Sequence, residues 1–333
     1  MSLTPYIRAM GRGPSRARSL EADEAQDAMR QILDGTAEPA AVGALLMLMR
    51  YRGESPGEIA GFTRAVRDAL PVWSGPQPAL DWPSLAAGRS RGLPWFLLSA
   101  RLVAEAGHPV LLHGWNSARH QGEAASVAAA LPHLGIAIAA DMGSAGELLA
   151  RRGIVYLPLE SYAPKVLEVL QLRDILGLRS AMNTVARMVN PGAAPTLVQG
   201  VFHPPYLQLQ QAAAAILGQP NLAIIKGGGG EFERNPAKDV PVSGLRGNAA
   251  FEIVAPELLA ETSVRLAEGP ELPLAAASLT ALWSGAARDI FAEAIVCGTA
   301  GLALMALGAA PDVAAADALA RQLWETRDRR VAA

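Results

Sequence analysis

Residues 173–191 read RDILGLRSAMNTVARMVNP. The apolar residues of this region fall into two sets. Leu172, Ile175, Leu176 and Leu178 recur at roughly helical spacing, and Gly177 is a natural stop after a helix. Met182, Val185, Ala186 and Val189 make a second short stripe. Asn190-Pro191 closes it, because proline cannot continue a helix and pushes the residue before it toward extended geometry. Two helical pieces therefore meet at a glycine corner, with Arg173 and Arg179 near the joint. A solvated or ion-paired surface is the plain reading of those arginines.

Upstream, residues 20–70 read as helices. LEADEAQDAMRQIL has helical periodicity, with acids in the first turn where the helix dipole favours them. AVGALLMLMRYRG is apolar on most sides and so is expected to be buried. Ser55-Pro56-x-Glu58 is a helix start, with proline in the first turn. The proline-rich 71–83 reads as a linker. Beyond it, strand-like runs at 109–114, 135–140, 153–159, 196–202 and 222–227 alternate with helical ones, which calls for a mainly parallel, helix-covered sheet. From Leu272 on the chain is alanine-rich helix. The fold class is therefore α/β: a small N-terminal helical bundle domain plus a larger domain with a mainly parallel β-sheet covered by helices.

The chain has 333 residues, 51% of them hydrophobic, and a net charge of −2, which by itself calls for neither nucleic acid nor membrane. No run is long and apolar enough for a membrane span, and the N-terminus lacks the apolar core of a signal peptide, so a cytoplasmic protein is expected. Cys297 is the single cysteine, which excludes an internal disulfide or a cysteine-based zinc cluster. Its apolar surroundings point to an inert thiol.

The spacing in 173–191 resembles the segment R-x-x-L-G-x-R-T-x-x-N…N-P of the anthranilate phosphoribosyltransferase family (glycosyltransferase family 3). Arg173, Leu176, Gly177, Arg179, Asn183, Asn190 and Pro191 fall on it in register, with Ser180 at the threonine. The family's Gly-Pro is missing, and Ala186-Arg187-Met188 occupies that region. The resemblance covers nearly the whole chain and implies the nucleoside phosphorylase and phosphoribosyltransferase class II type of fold. It implies a helical domain at 1–72, to which 165–186 return, and an α/β domain at 78–164 and 187–333. It also implies a homodimer through the helical domain, whose apolar faces would need a second copy, and an acceptor-site role for Arg173.

The phosphoribosyl pyrophosphate loops depart from the family pattern. Where it has a Gly-Thr-Gly-Gly-Asp loop, this chain has Gly88, Arg89, Ser90, Arg91 and Gly92. The side chains crowd the backbone's approach to phosphate, although arginines can grip phosphate themselves. Of the motif Lys-His-Gly-Asn, His113 and Gly114 remain, with Leu112 at the lysine and Asn116 two residues on. Packing and function are both open for His113. After the last predicted parallel strand come Lys226, Gly227, Gly228, Gly229 and Gly230, whose backbone suits an anion. A merely flexible loop is the plain reading of the same glycines. Glu231 and Glu233 are weak candidates for a metal, because two residues apart on an extended segment they point to opposite faces.

Several stretches, among them YIRAMGRGPSRAR, GVFHPPY and KGGGGEFERNP, resemble a YbiB-like branch of the family. That resemblance implies a transferase fold whose transfer activity has been lost, no cofactor, and non-specific binding of DNA or RNA. Arg12, Arg16, Arg18, Arg89 and Arg91 would then bind nucleic acid, with Arg327, Arg329 and Arg330 crowding the C-terminus. The alternative is an active phosphoribosyl- or glycosyltransferase with altered motifs and an unknown acceptor, which would use Mg²⁺.

Overall fold

The computed structural model describes residues 2–85, 92–116, 126–259 and 272–330. The first part is helical: α1 (Thr4–Gly11), α2 (Gly13–Arg16), α3 (Ala22–Leu33), α4 (Pro39–Arg52) and α5 (Pro56–Asp68). Helix α5 starts as its sequence dictates. Ser55 Oγ accepts from the Glu58 N–H at 3.2 Å, and Glu58 Oε2 accepts from the Ser55 N–H at 2.7 Å. The other oxygen of Glu58 accepts from the Leu20 N–H at 2.9 Å, so one fully buried carboxylate caps α5 and ties down the entry to α3. The two helices cross so closely at Gly61 that a Cβ there would lie 2.1 Å from the Ala22 carbonyl oxygen.

The apolar side of α4 is satisfied within the chain. Val42, Leu45, Leu46 and Met49 are buried in one cluster with residues of α1, α3 and α5. Helix α1 is fastened to α3 by Tyr6, whose hydroxyl donates to Asp27 at 2.5 Å. That bond, with a second from Gln31, holds the Asp27 carboxyl below its ordinary range, while burial and then Asp27 push the tyrosine up to about 12. A depressed carboxyl stabilises the fold above its unfolded pKa, and the benefit is lost as pH falls through the folded value. Tyr6→Phe should therefore lose about 1 kcal/mol at neutral pH, since the pair is partly exposed. Urea titrations should show that difference shrinking as the pH falls through the carboxylate range.

The rest of the chain builds an eight-stranded sheet in the order β3-β4-β2-β1-β5-β6-β7-β8. Its strands are β1 (Leu80–Ser84), β2 (Val110–Gly114), β3 (Ala137–Ile138), β4 (Ile154–Pro158), β5 (Thr196–Val201), β6 (Asn221–Lys226), β7 (Val240–Arg246) and β8 (Ala249–Ala255). The first six strands are parallel, and β7 and β8 add an antiparallel hairpin to β6. This is the expected helical bundle plus α/β domain of the phosphoribosyltransferase class II type, with a mixed sheet.

Three strands escaped the sequence reading. β1 lies partly inside the stretch read as linker and contains Pro83, yet it is central. Its pairing with β5 covers only Leu80 and Asp81 and stops short of the proline, which has no N–H to donate. The β7–β8 hairpin turns at Gly247-Asn248, both with positive φ (56° and 68°).

Helices cover both faces. On one side α6 (Phe96–Glu105), α7 (Val127–Ala130), α14 (Ala276–Ser284), α15 (Ile290–Ala306) and α16 (Val313–Thr326) pack on residues such as Trp82, Leu112, Val198 and Ile225. On the other, the helical bundle joins α8 (Met142–Arg152), α9 (Leu159–Tyr162), α10 (Pro164–Gln171), α12 (Met182–Val185) and α13 (Tyr206–Ile216) over Leu111, Leu197, Leu222 and Ile224. Between α10 and α12 runs α11 (Arg173–Leu176), ended by Gly177 at φ 71°. Leu176 reaches back to Gly43 of α4, where an added Cβ would sit 3.6 Å from its Cδ2. Among the described residues no helix is long and apolar enough to cross a membrane. Burial pushes the Cys297 thiol up to about 12, which leaves it inert.

Candidate active site

Open parallel sheets present their ligands beyond the carboxyl ends of the strands. At that end of β1, β2, β5 and β6 the chain gathers most of the residues singled out by sequence. Gly88, Arg89, Ser90 and Arg91 lie outside the described residues. Gly92 is described and has φ 76°.

His113, at the end of β2, is fully buried. Its Nε2 stands 3.1 Å from Asp81 Oδ2 on β1, and its Nδ1 stands 2.8 Å from the Tyr162 hydroxyl on α9. With the ring proton on Nε2 facing Asp81, Nδ1 accepts from the tyrosine. This closed chain braces two strands and a helix and leaves no nitrogen for a substrate. Gly114 follows with φ 148°, and a Cβ there would lie 1.8 Å from the Ser84 carbonyl oxygen, so only glycine allows this close approach of β2 to β1. Asn116 donates to the Tyr156 hydroxyl at 2.6 Å.

Lys226 ends β6 and is exposed. The glycines after it form a self-bonded turn rather than an open cradle. The N–H groups of Gly227, Gly228 and Gly230 donate to the carbonyl oxygens of Val201, Glu233 and Gly227. Gly229 and Gly230 adopt positive φ (64° and 82°). Glycine is needed here because the loop folds onto itself: a Cβ on Gly227 would lie 1.8 Å from the Glu231 carbonyl oxygen. Phe232, at the family's aspartate, is buried edge-on to Trp82 with ring centres 5.4 Å apart. Glu231 and Glu233 are 1% and 6% exposed. Glu233 Oε2 accepts the Phe96 N–H of α6 at 3.1 Å, and Glu231 lies in electrostatic range of Arg187 and Tyr156.

Beside this turn lies a cavity of about 80 Å³ between α12, the end of β5 and the start of α13. Its polar lining includes Arg50, Arg179, Arg187, His203, Tyr206 and Gln210, and Phe202 supplies an aromatic wall. Arg179 comes from the 173–191 motif. Burial, then the nearby Arg173 and Arg50 charges, lower its pKa. Arg173 itself is not among the described lining residues, though its charge reaches Arg179. Arg187 bridges the elements of the site: it donates to Asn183 O at 2.6 Å and to Leu85 O, just past β1, at 3.1 Å. Arg50 donates to the Tyr206 hydroxyl at 3.2 Å, which in turn donates to Glu54 at 3.1 Å. Gln210 is 2% exposed, and its Oε1 has no hydrogen-bond partner among the described residues. Sequence reasoning missed Arg50, Arg187, His203, Tyr206 and Gln210. The available signal was position, since 202–210 directly follow a parallel strand at its carboxyl end.

Of the arginines expected to hold nucleic acid, Arg89 and Arg91 lie outside the described residues, and Arg12, Arg16 and Arg18 are not among the cavity's lining. Arg18 is bound to both oxygens of Glu24, at 2.6 and 2.7 Å, while Arg12 and Arg16 are exposed on the N-terminal helices. At the C-terminus Arg327 lies over Trp324, 3.4 Å from the ring centre, and donates to the carbonyls of Trp283, Leu282 and Trp324, while Arg330 pairs with Asp328 at 2.7 Å. Arg18, Arg327 and Arg330 thus fasten the chain to itself.

The helical-bundle domain of a glycosyl transferase family matches residues 4–70, and the α/β domain of that family matches 96–326. An anthranilate phosphoribosyltransferase from Thermus thermophilus is 30% identical over 307 residues, 91% of each chain. A crystal structure of anthranilate phosphoribosyltransferase from Thermus thermophilus superposes with a TM-score of 0.79 at 26% identity, covering 97% of this chain and 94% of that one. The Saccharomyces cerevisiae enzyme in complex with PRPP and Mg shares the fold, with a TM-score of 0.72 at 15% identity over 97% and 93% of the two chains. These findings overturn the reading of a YbiB-like, nucleic-acid-binding protein that has lost transfer activity and uses no cofactor. The relatives matched across nine-tenths of this chain are named as transferases of small molecules, and a member of the same fold holds a small phosphorylated ligand and Mg. The physical error was to weigh altered loop residues above the retained scaffold and arginines, and to count Arg18, which is paired with Glu24, toward a phosphate surface.

Proposed function

The chain belongs to the anthranilate phosphoribosyltransferase family of glycosyl transferases, and from that premise we propose that it transfers the phosphoribosyl group of PRPP to the amine of a small acidic aromatic acceptor. The observation that carries this reading is the arginine-lined cavity abutting the glycine turn after β6. The bond formed joins the amine nitrogen to the ribose C1 carbon. The bond broken releases pyrophosphate with its electron pair, and an amine proton goes to solvent. Positioning two reactants in one pocket supplies much of such a rate enhancement.

Arg179 holds an acceptor carboxylate, and the Oε1 of Gln210 takes an amine N–H, directing the nitrogen lone pair toward the donor side. Arg187, between the cavity and the end of β1, faces the charge that develops on the departing pyrophosphate. Lys226 adds positive charge at the strand end. Magnesium, when bound with PRPP, would neutralise the pyrophosphate. One or two protein carboxylates plus substrate phosphates suffice for it, and Glu231 and Glu233 are the carboxylates that follow the glycine turn. Among the described residues there is no group of three or more metal-type ligands. A cytoplasmic location belongs to the same reading, since PRPP is made and consumed inside cells.

The test is an assay of pyrophosphate release with PRPP, Mg²⁺ and anthranilate, extended to other aminobenzoates. Turnover is expected with at least one acceptor, and none with any would sink the reading. Arg179→Ala should lower kcat/KM by about 10- to 100-fold, the worth of one charge-assisted hydrogen bond. Its thermal stability should be unchanged.

A further inference from the structure

The acceptor cavity is cationic at more than one place. Arg50 enters from the C-terminal turn of α4, Arg179 from the corner after α11, and Arg187 from just beyond α12. His203 adds a fourth nitrogen-bearing group, and no acid is found among the described lining residues. The carboxylates that face these groups stand outside the lining: Glu231 beside Arg187, and Glu54 behind the Tyr206 hydroxyl. Arg50 is aimed by that hydroxyl, and Arg187 by two backbone carbonyls, so both guanidiniums are held in place from behind. A single carboxylate would engage one or two of these groups and leave another facing an apolar ring. The aromatic wall is Phe202, edge-on to His203 with ring centres 4.8 Å apart. The buried Oε1 of Gln210, with no partner among the described residues, asks for one N–H donor.

Resting on the transfer reading above, we infer that the acceptor is a one-ring aromatic amine bearing two anionic groups, one held by Arg179 and the other by Arg50. The cavity's size excludes a nucleotide. Arg50, with Tyr206 behind it, is then the specificity-determining residue for the second anion.

The probes are 2-aminoterephthalate, with two carboxylates, and 2-aminobenzoate, with one. Binding of each to the full chain is measured by calorimetry, which needs no turnover. The dicarboxylate should bind at least about tenfold tighter, the worth of one added charge-assisted contact. Arg50→Gln should remove that preference, bringing the two affinities within about twofold of each other, because the second contact is lost. Arg50 is exposed, so the change leaves the core intact, and Tyr206→Phe should give a smaller loss of the same sign. Equal affinities for the two probes would overturn the inference and leave the transfer reading standing. So would a preference that survives Arg50→Gln. No binding of either probe would overturn it as well, and pyrophosphate release in the separate assay would then decide the transfer reading.

Discussion

Gly227→Ala is expected to abolish most activity while leaving the protein folded. The added methyl would lie 1.8 Å from the Glu231 carbonyl oxygen and 2.9 Å from the Glu233 nitrogen. Neither is the end of a flexible side chain, so the backbone of residues 227–233 must open. Gly200 on β5 packs on the same segment, with a Cβ position 2.0 Å from the Glu231 carbonyl carbon, so the loop cannot retreat toward β5. It must move away from the sheet, carrying Glu231, Phe232 and Glu233 with it. Phe232 then loses its edge contact with Trp82, and Glu233 loses the Phe96 N–H. A shift of about 1 Å in such a site costs about 100-fold in rate, and the expected fall in kcat is at least that large. The check pairs pyrophosphate release with tryptophan fluorescence. Lost activity with a changed emission and an unchanged far-ultraviolet spectrum supports the account. Wild-type activity in this variant would mean that the turn plays no part in catalysis.

The scaffold was legible in the sequence because it is built from periodic patterns. Ser55, Pro56 and Glu58 announced the start of α5, and the capping box is there. The strands at 109–114, 196–202 and 222–227 were visible because parallel strands buried on both faces are nearly continuous apolar runs. β1 was obscured by Pro83, which argues against a central strand unless the neighbouring pairing ends before it. β8 was obscured because it alternates half-buried and exposed residues at the edge of the sheet. The site was legible only where the chain is local. The 173–191 motif pointed to Arg179, but the side chains that complete the cavity come from α4 and the start of α13, which are far apart in sequence. No spacing rule connects Arg50 to Tyr206; only the fold puts them 3.2 Å apart. The four glycines misled in a different way. Their composition suits an anion-binding loop, yet their N–H groups are largely taken up by the turn itself.

Asp317→Ala should destabilise the protein by about 3–5 kcal/mol, as breaking one side of a buried ion pair does. Arg234 follows the glycine turn directly, and its side chain is fully buried. Its Nη1 donates to Asp317 Oδ1 on α16 at 2.7 Å, its Nη2 donates to the Pro256 carbonyl at 2.6 Å, and its backbone N–H donates to Thr299 on α15 at 2.9 Å. One residue thereby couples the active-site turn to the two closing helices. Burial raises the Asp317 carboxyl above its ordinary pKa, and the nearby Arg234 only partly offsets this. A raised carboxyl contributes stability that is full below its unfolded pKa and lost as pH rises through the folded value. The pair as a whole therefore adds little at neutral pH, and its removal as a unit should be tolerated. Asp317→Ala alone is different, because it leaves the guanidinium buried without its counter-charge. The discriminating experiment is a double-mutant cycle in urea with Arg234→Met, Asp317→Leu and the two combined. The single changes should each be costly, and the double should recover most of the loss, since an apolar pair of similar volume often replaces a buried ion pair at little cost. Additive losses in the double would show that the Arg234 side chain acts through the Pro256 carbonyl and not through Asp317. In that case the turn is anchored by backbone hydrogen bonds, and Arg234→Met alone should depress kcat together with stability.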